Sequence, residues 1–241
     1  MIEEYFKPLT LQIDSGLGST ADSFYYAAQT LENNQESKYG FGIGGGKLPL
    51  LYLYRHSIEL YLKSVITLIY RVCPSQNDRL KSDDNLPLLI ENNKEKKIFN
   101  VHSINTLFIN FSNFLEDNKK YILATCETNW FDILDEISQL IEIIEEFDKN
   151  STMFRYPITT NKDSDYRKSP FKKFTFTGNS GEKIDKSKGS KIILLVENQD
   201  NEIVESYVSD DNVLTEIHEA LKELATQVSG LHFGLKFELT K

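Results

Sequence analysis

The chain has 241 residues, of which 40% are hydrophobic and 26% are charged. This balance is typical of a globular protein and excludes a largely disordered chain. A net charge of -9 excludes broad, non-specific binding to nucleic acid or anionic membranes, because the summed field of the protein repels polyanions.

The length favours a single domain that spans residues 1–241. The N-terminal segment lacks the basic start and the apolar run of a signal peptide, and no apolar stretch reaches the roughly 18 residues that span a bilayer. We therefore expect a cytoplasmic protein that makes no membrane contact. Cys73 and Cys126 are isolated in the sequence, so we expect two reduced thiols, no disulfide framework and no structural zinc site.

The first half of the chain predicts two helices. A Ser/Thr cap and apolar residues at helical spacing indicate a short first helix at 19–31. The glycine-rich run 39–47 contains a formal G-x-G-x-x-G, but no strand-like run precedes it, so we interpret it as a turn. Pro49 begins the longest and most apolar helix, at 50–72, and a polar, lysine-rich loop then continues to about residue 100.

Three further helices are predicted in the second half. The segments 102–118 and 128–148 have apolar residues at helical spacing, and the acidic residues of 128–148 are expected to form its solvated face. An Asp or Ser cap begins the last helix at about residue 211, and its apolar residues again follow the helical period. Four substantial helices with moderate connections predict a mainly α protein, an antiparallel four-helix bundle.

A β-rich insertion at 160–210 is predicted before the last helix. The segment 171–177 alternates in polarity, and the strand-like runs 191–197 and 202–208 flank a hairpin turn. Residues 162–191 hold nine Lys or Arg and four acidic residues, so this segment carries +5 and the rest of the chain -14. The insertion is therefore a possible contact surface for an acidic partner.

Ionisable residues interrupt the apolar helix 50–72 along one side. Placed at 100° intervals, they fall within an arc of roughly 120° opposite a broad apolar face; this charged stripe consists of Tyr52, Arg55, His56, Glu59 and Lys63. The pairs Arg55–Glu59 and Glu59–Lys63 have the i,i+4 spacing of helical ion pairs. One interpretation of the stripe is therefore a solvated face linked by ion pairs.

The other interpretation is that the stripe lines a cleft. Arg55 would bind a phosphate or carboxylate in fork geometry, and His56 would exchange a proton near neutral pH. Two other segments are candidates to converge on it, His102 at the start of the next helix and Arg155-Tyr156 after the acidic helix. Capping or packing for His102, and a salt bridge for Arg155, are the structural alternatives.

Three short motifs carry a resemblance to a known family. They are RHSIELYLK at 55–63, VHSINTL at 101–107 and MFRYP at 153–157, with an acidic helix between the last two. In this order they resemble bacterial HEPN-like helical-bundle proteins, and the likeness covers about residues 48–160. The resemblance implies a four-helix bundle that dimerises. It also implies either a metal-independent endoribonuclease of toxin-antitoxin, CRISPR or phage-defence systems, or a non-catalytic RNA-binding or interaction module.

The nuclease signature of that family is an Arg followed, after four to six residues, by a His. No arginine of this chain has a histidine at that spacing, and Arg55 and His56 are adjacent instead. A helix separates adjacent side chains by about 100°, whereas the usual spacing returns both to one face.

The leading hypothesis is a protein that binds or cleaves RNA, works as a homodimer and has a cognate antitoxin or defence partner. In it, Arg55 and Arg155 hold a phosphate, His56 or His102 acts as acid or base, and Glu59 and Lys63 orient them. The alternatives are a non-catalytic interaction module and a small-ligand site with Tyr52 and Tyr156 at its rim. None of these hypotheses requires a cofactor or a metal. The reversed His56-x-x-Glu59 pair lacks the second pair of a di-metal bundle.

Overall fold

A computed structural model describes most of the chain, namely residues 13–34, 47–74, 86–149, 151–156, 158–159, 161–175, 192–210 and 212–240. The described residues are mainly helical, as the sequence predicted, and carry two small antiparallel sheets, of which the sequence predicted one. The glycine-rich turn predicted at 39–47 lies outside them except for its last residue.

The helices of the described residues are α1 (Ile13–Asn33), α2 (Leu48–Val72), α3 (Ile104–Asp117), α4 (Lys119–Thr125), α5 (Leu134–Asp148), α6 (Lys162–Arg167) and α7 (Thr215–Leu239). Helix α2 packs against α1, α3 and α7, while α5 packs against α3 and α7. Every residue of α2 from Ser57 to Tyr70 is buried. Neighbouring parts of the chain therefore cover this stretch of α2 on all sides, including the side that carries Glu59 and Lys63.

Two helix starts differ from the sequence prediction. Helix α5 begins at Leu134 and not at 128, because residues 130–133 form turns. This segment is bound to the end of α7, where Glu238 accepts hydrogen bonds from Thr128 Oγ1 at 2.8 Å and Trp130 Nε1 at 2.9 Å. The predicted Asp or Ser cap of the last helix is wrong as well: α7 is preceded by Leu214, which has φ 59° and makes no capping side-chain bond.

The loop predicted up to residue 100 contains a hairpin, which the sequence reading missed. Strands β1 (Leu88–Glu91) and β2 (Lys94–Lys97) pair in antiparallel register around Asn92 and Asn93. Both asparagines have positive φ, 52° and 59°, which a two-residue hairpin turn requires and asparagine tolerates. The Asn110 side chain of α3 bonds both the N–H and the C=O of Ile90, so a contact distant in sequence holds this hairpin.

The predicted β-rich insertion is confirmed in its described part. Strands β3 (Phe171–Lys173), β4 (Ile193–Glu197) and β5 (Ile203–Ser209) form an antiparallel sheet in the order β3-β5-β4. The turn between β4 and β5 lies where the sequence predicted a hairpin. The short helix α6, which the sequence reading did not predict, precedes β3.

Among the described residues, no helix is both long enough and apolar enough to cross a bilayer. Cys73, which is buried, and Cys126 form no disulfide, and burial raises the pKa of the Cys73 thiol to about 12.

Candidate functional site

The guanidinium of Arg55 is enclosed by protein groups. Its side chain is only 2% exposed. Nε donates to Asp148 at 2.7 Å, Nη1 to Glu59 at 3.1 Å, and Nη2 to the His102 carbonyl at 2.8 Å and to the Ser151 hydroxyl. The predicted phosphate contact of Arg55 therefore has no open guanidinium edge in this structure, and Arg55 acts as a cross-link between α2, α3 and the end of α5.

Glu59, one turn further along α2, is the centre of the charged cluster. Its Oε1 accepts hydrogen bonds from Lys63 Nζ at 2.9 Å and from His102 Nδ1 at 2.8 Å. Its Oε2 lies 3.1 Å from Arg55 and 3.8 Å from Arg155 Nη2. Burial alone would raise the pKa of Glu59, but Lys63, His102 and Arg55 outweigh it and hold the pKa below its ordinary value. Glu59 is therefore an ionised carboxylate.

The charged stripe is paired as the sequence predicted, but it is not solvated. Both i,i+4 ion pairs form, and Arg55, Glu59 and Lys63 are all buried. The start of α3 and the segment after α5 cover this side of α2 and supply its other partners. The expectation that the acidic residues of α5 are solvated is likewise wrong for Asp148, whose carboxylate is buried against Arg55.

Asp148 also shapes the turn that follows α5. Its Oδ1 accepts the backbone N–H of Met153 at 2.8 Å, while the hydroxyl of Ser151 donates to the His102 carbonyl at 2.9 Å. Ser151 has φ 60°, in the left-handed region. These bonds place the next residues, and Arg155 with them, against the cluster.

His102 presents one edge of its ring to solvent. It lies just before α3, whose first turn is capped by Ser103 accepting the N–H of Thr106 at 3.1 Å. Because an ionised carboxylate only accepts hydrogen bonds, the His102 Nδ1 that faces Glu59 carries a proton. Nε2 lies on the opposite side of the ring, and the side chain is 48% exposed. The pair is a buried carboxylate that orients an accessible imidazole.

A cavity of about 500 Å³ adjoins Arg155. Its lining is Leu48, Pro49, Tyr52, Phe154, Arg155 and Tyr156. The Arg155 side chain is 31% exposed, so this guanidinium reaches both the Glu59 carboxylate and the cavity. Tyr156 is exposed. The cavity thus combines one accessible cation with aromatic and aliphatic walls.

His56 packs as an aromatic ring beside this cavity. It stacks on Tyr52, with ring centroids 5.6 Å apart and planes within 8°, and meets Phe24 edge-on at 4.5 Å. Its buried Nδ1 has no hydrogen-bond partner within the described part of the chain. Burial lowers the pKa of His56; Glu59 opposes this shift, while the nearby cations, Arg155 foremost, add to it. The ring is therefore uncharged at neutral pH, which differs from the expectation of proton exchange there.

The predicted residues thus divide into two adjoining groups. Arg55, Glu59, Lys63, His102 and Arg155 meet around one carboxylate, whereas His56 and Tyr52 stack together and Tyr52 faces the cavity with Tyr156. Sequence reasoning missed Asp148 and Ser151, because no local pattern in the sequence separates Asp148 from the other acidic residues of α5. The described residues contain no group of three or more His, Cys, Asp or Glu that is arranged to hold a metal ion.

No protein-family model, no curated protein and no solved structure matches this chain.

Proposed function

We propose that this protein binds single-stranded RNA at the site formed by His102, Arg155 and the adjoining cavity, as a HEPN-like four-helix bundle. One observation carries the proposal: the buried Glu59 carboxylate orients a half-exposed His102, and the guanidinium that approaches the same carboxylate, Arg155, lines an aromatic cavity. The proposal includes the biological setting that the resemblance implies. This is a homodimer in the bacterial cytoplasm, with a cognate partner protein of a toxin-antitoxin or phage-defence system.

The exposed Arg155 guanidinium fits a phosphate. It is planar and only weakly paired, at 3.8 Å from Glu59, so it is able to hold a phosphate through charge-assisted hydrogen bonds. His102 adjoins it, because both side chains approach the Glu59 carboxylate. In this proposal Arg55 and Lys63 do not touch RNA, because both are buried and keep Glu59 ionised and in place.

The cavity next to Arg155 fits a base. Tyr52, Phe154 and Tyr156 give it aromatic surface, and aromatic side chains bind unpaired bases by stacking, at about 1–3 kcal/mol per base. A base inside a duplex is not available for such stacking, which is the reason for the single-stranded preference. The net charge of -9 opposes contacts elsewhere on the surface, so we expect a short footprint and strong salt dependence.

The same geometry supports metal-independent cleavage. Neutral His102 carries its proton on Nδ1, so Nε2 accepts the proton of a ribose 2′-hydroxyl. The 2′-oxygen then forms a bond to the adjacent phosphorus, and the bond to the 5′-oxygen breaks. The 5′-oxygen takes a proton from the imidazolium, and the products are a 2′,3′-cyclic phosphate and a 5′-hydroxyl end. Arg155 neutralises the phosphate during this exchange.

Fluorescence anisotropy with a labelled single-stranded RNA, at two or more salt concentrations, tests the binding. Arg155→Ala is expected to weaken binding about 10-fold, the value of one charge-assisted hydrogen bond, and to reduce the salt slope by about one contact. The matched control is Arg167→Ala. Arg167 lies over the Phe147 ring at 4.7 Å, away from the cavity lining, and its loss is expected to leave affinity unchanged within 2-fold.

Cleavage is tested separately, in a chelator, with His102→Asn. The asparagine amide replaces the Nδ1 donor to Glu59 but has no counterpart of Nε2, so cleavage is expected to disappear while binding falls only a few-fold. A DNA strand of the same sequence lacks the 2′-hydroxyl and is expected to bind without being cut. If Arg155→Ala leaves RNA binding unchanged, the RNA site lies elsewhere on the protein. If the wild-type protein does not bind RNA at low salt, the proposal is wrong.

The second candidate is a non-catalytic interaction module. The observation that favours it is that Arg55, Glu59, Lys63 and Asp148 satisfy one another in the protein interior. In that case the cluster maintains the bundle, and a protein partner occupies the exposed surface. Intact RNA together with absent RNA binding in the assays above favours this module over the RNA-binding protein.

A further inference from the structure

Strand β4 is an apolar edge strand. In the sheet order β3-β5-β4 it has β5 on one side, and the described residues supply no strand on its other side. The five residues from Ile192 to Val196 are Ile, Ile, Leu, Leu and Val, and their relative exposures are between 41% and 54%. An edge strand of this composition is a template for pairing with another chain, and proteins usually interrupt such edges with charges or proline.

The exposure of consecutive residues distinguishes β4 from an ordinary surface strand. Successive side chains of a strand point to opposite faces of the sheet, so an antiparallel sheet with one buried face alternates apolar and polar residues. In β4 every residue is exposed, and the apolar ones lie on both faces. Covering this surface therefore requires a partner that reaches both faces and the open backbone edge, which another strand does.

We propose that β4 pairs with β4 of a second copy of this chain, antiparallel and about a two-fold axis at Leu194. A two-fold axis perpendicular to the sheet keeps each side chain on its own face, so one residue must lie opposite its own copy. With Leu194 at that point, Ile193 lies opposite Leu195 and Ile192 opposite Val196 of the second copy. Each of the five exposed apolar residues then lies opposite an apolar residue of the same segment in the second copy.

The charges next to β4 select this arrangement. Parallel, in-register pairing would place Glu197 beside Glu197 of the second copy, whereas the antiparallel register moves the two carboxylates to opposite ends. The sequence is complementary in the antiparallel sense, because the run 191–197 begins with a lysine and ends with a glutamate. The register irregularity between Val196 and Glu197 ends the regular edge just where the apolar residues end. This interface is independent of RNA binding and uses none of the residues of the proposed RNA site.

Sedimentation equilibrium of the full chain over a wide concentration range tests the interface. The wild-type protein is expected to be dimeric, and Ile193→Lys to raise the dimer dissociation constant by on the order of 100-fold, because the two-fold axis introduces each substitution twice and each is taken as 10-fold. The matched control is Ile90→Lys, since Ile90 is also a strand isoleucine and is 52% exposed against 54% for Ile193. The control is expected to remain dimeric.

Cysteine cross-linking tests the register. Leu194→Cys is expected to give a disulfide-linked dimer on mild oxidation, because residue 194 lies opposite its own copy. Ile192→Cys is not expected to give this dimer. In the proposed register the two copies of residue 192 are four residues apart along the edge, which is roughly 13 Å at about 3.3 Å per residue. Cross-linking of both variants indicates parallel pairing and overturns the proposed register. A wild-type monomer at every concentration, or a dimer that survives Ile193→Lys, overturns the interface itself, and so does equal dissociation of the Ile90→Lys control.

Discussion

Removing the Asp148 carboxylate tests whether the buried charge network stabilises the fold. Asp148→Ala removes two hydrogen bonds that the carboxylate accepts. One comes from Arg55 Nε at 2.7 Å and the other from the backbone N–H of Met153 at 2.8 Å. Arg55 stays buried, and Glu59 is the one carboxylate among the described residues that remains within ion-pair distance of its guanidinium. Breaking a buried ion pair from one side costs about 3–5 kcal/mol, and in a protein of this size each kcal/mol lowers the melting temperature by roughly 2–4 °C.

Urea unfolding followed by far-UV circular dichroism measures the effect. The expected result is a loss of about 3–5 kcal/mol in the free energy of unfolding and a decrease of about 10 °C in melting temperature. Glu142→Ala is the control, since Glu142 is exposed on the same helix and surface substitutions change stability by about 0.5 kcal/mol or less. A loss of under about 1 kcal/mol for Asp148→Ala, well below the range for a broken buried pair, would refute a stabilising role for the network.

Three further predictions concern other parts of the molecule. Lys63, His102 and Arg55 hold the pKa of Glu59 below its ordinary value of 4.5. The stabilisation by the ionised carboxylate is therefore complete above pH 4.5 and is lost as the pH falls through the folded-state pKa. In urea unfolding at several pH values, the difference in unfolding free energy between the wild type and Glu59→Gln is expected to become smaller below pH 4.5. Gly234→Ala places a Cβ in steric clash with the Trp130 ring and is expected to cost about 1–3 kcal/mol and to shift the tryptophan fluorescence. Gly230→Ala, whose Cβ meets nothing within 4 Å, is expected to be neutral or stabilising by up to about 1 kcal/mol. His56→Phe keeps a ring between its two aromatic neighbours and is expected to leave stability and RNA affinity nearly unchanged in unfolding and anisotropy measurements.

Each of these predictions has a contrary outcome. A Glu59→Gln deficit that is constant from pH 7 to pH 3 would show that the carboxylate is not held ionised by its partners. Equal effects of alanine at 230 and 234 would contradict the close packing of Trp130 on α7. A large loss of RNA affinity in His56→Phe would return His56 to the binding or catalytic residues.

The mainly helical class and the β insertion were predictable because both depend on local pattern. Apolar spacing identified α2, α3, α5 and α7, and an asparagine-rich turn between strand-like runs identified the β4–β5 hairpin. The boundaries that failed depend on distant contacts. Helix α5 starts late where Thr128 and Trp130 bind Glu238, and the β1–β2 hairpin is held by Asn110 of α3.

For the candidate site, the sequence alone determined which side chains of α2 share a face, because the helical period sets that geometry. It also determined the two i,i+4 ion pairs. Tertiary structure decided whether that face is exposed to solvent or buried, and which residues from other segments contact it. Asp148 lies 93 positions from Arg55 in the chain, and no local pattern separates it from the other acidic residues of α5. Burial depends on what packs over a face, so only the folded chain shows that Arg55, Glu59 and Lys63 are interior while His102 and Arg155 remain accessible.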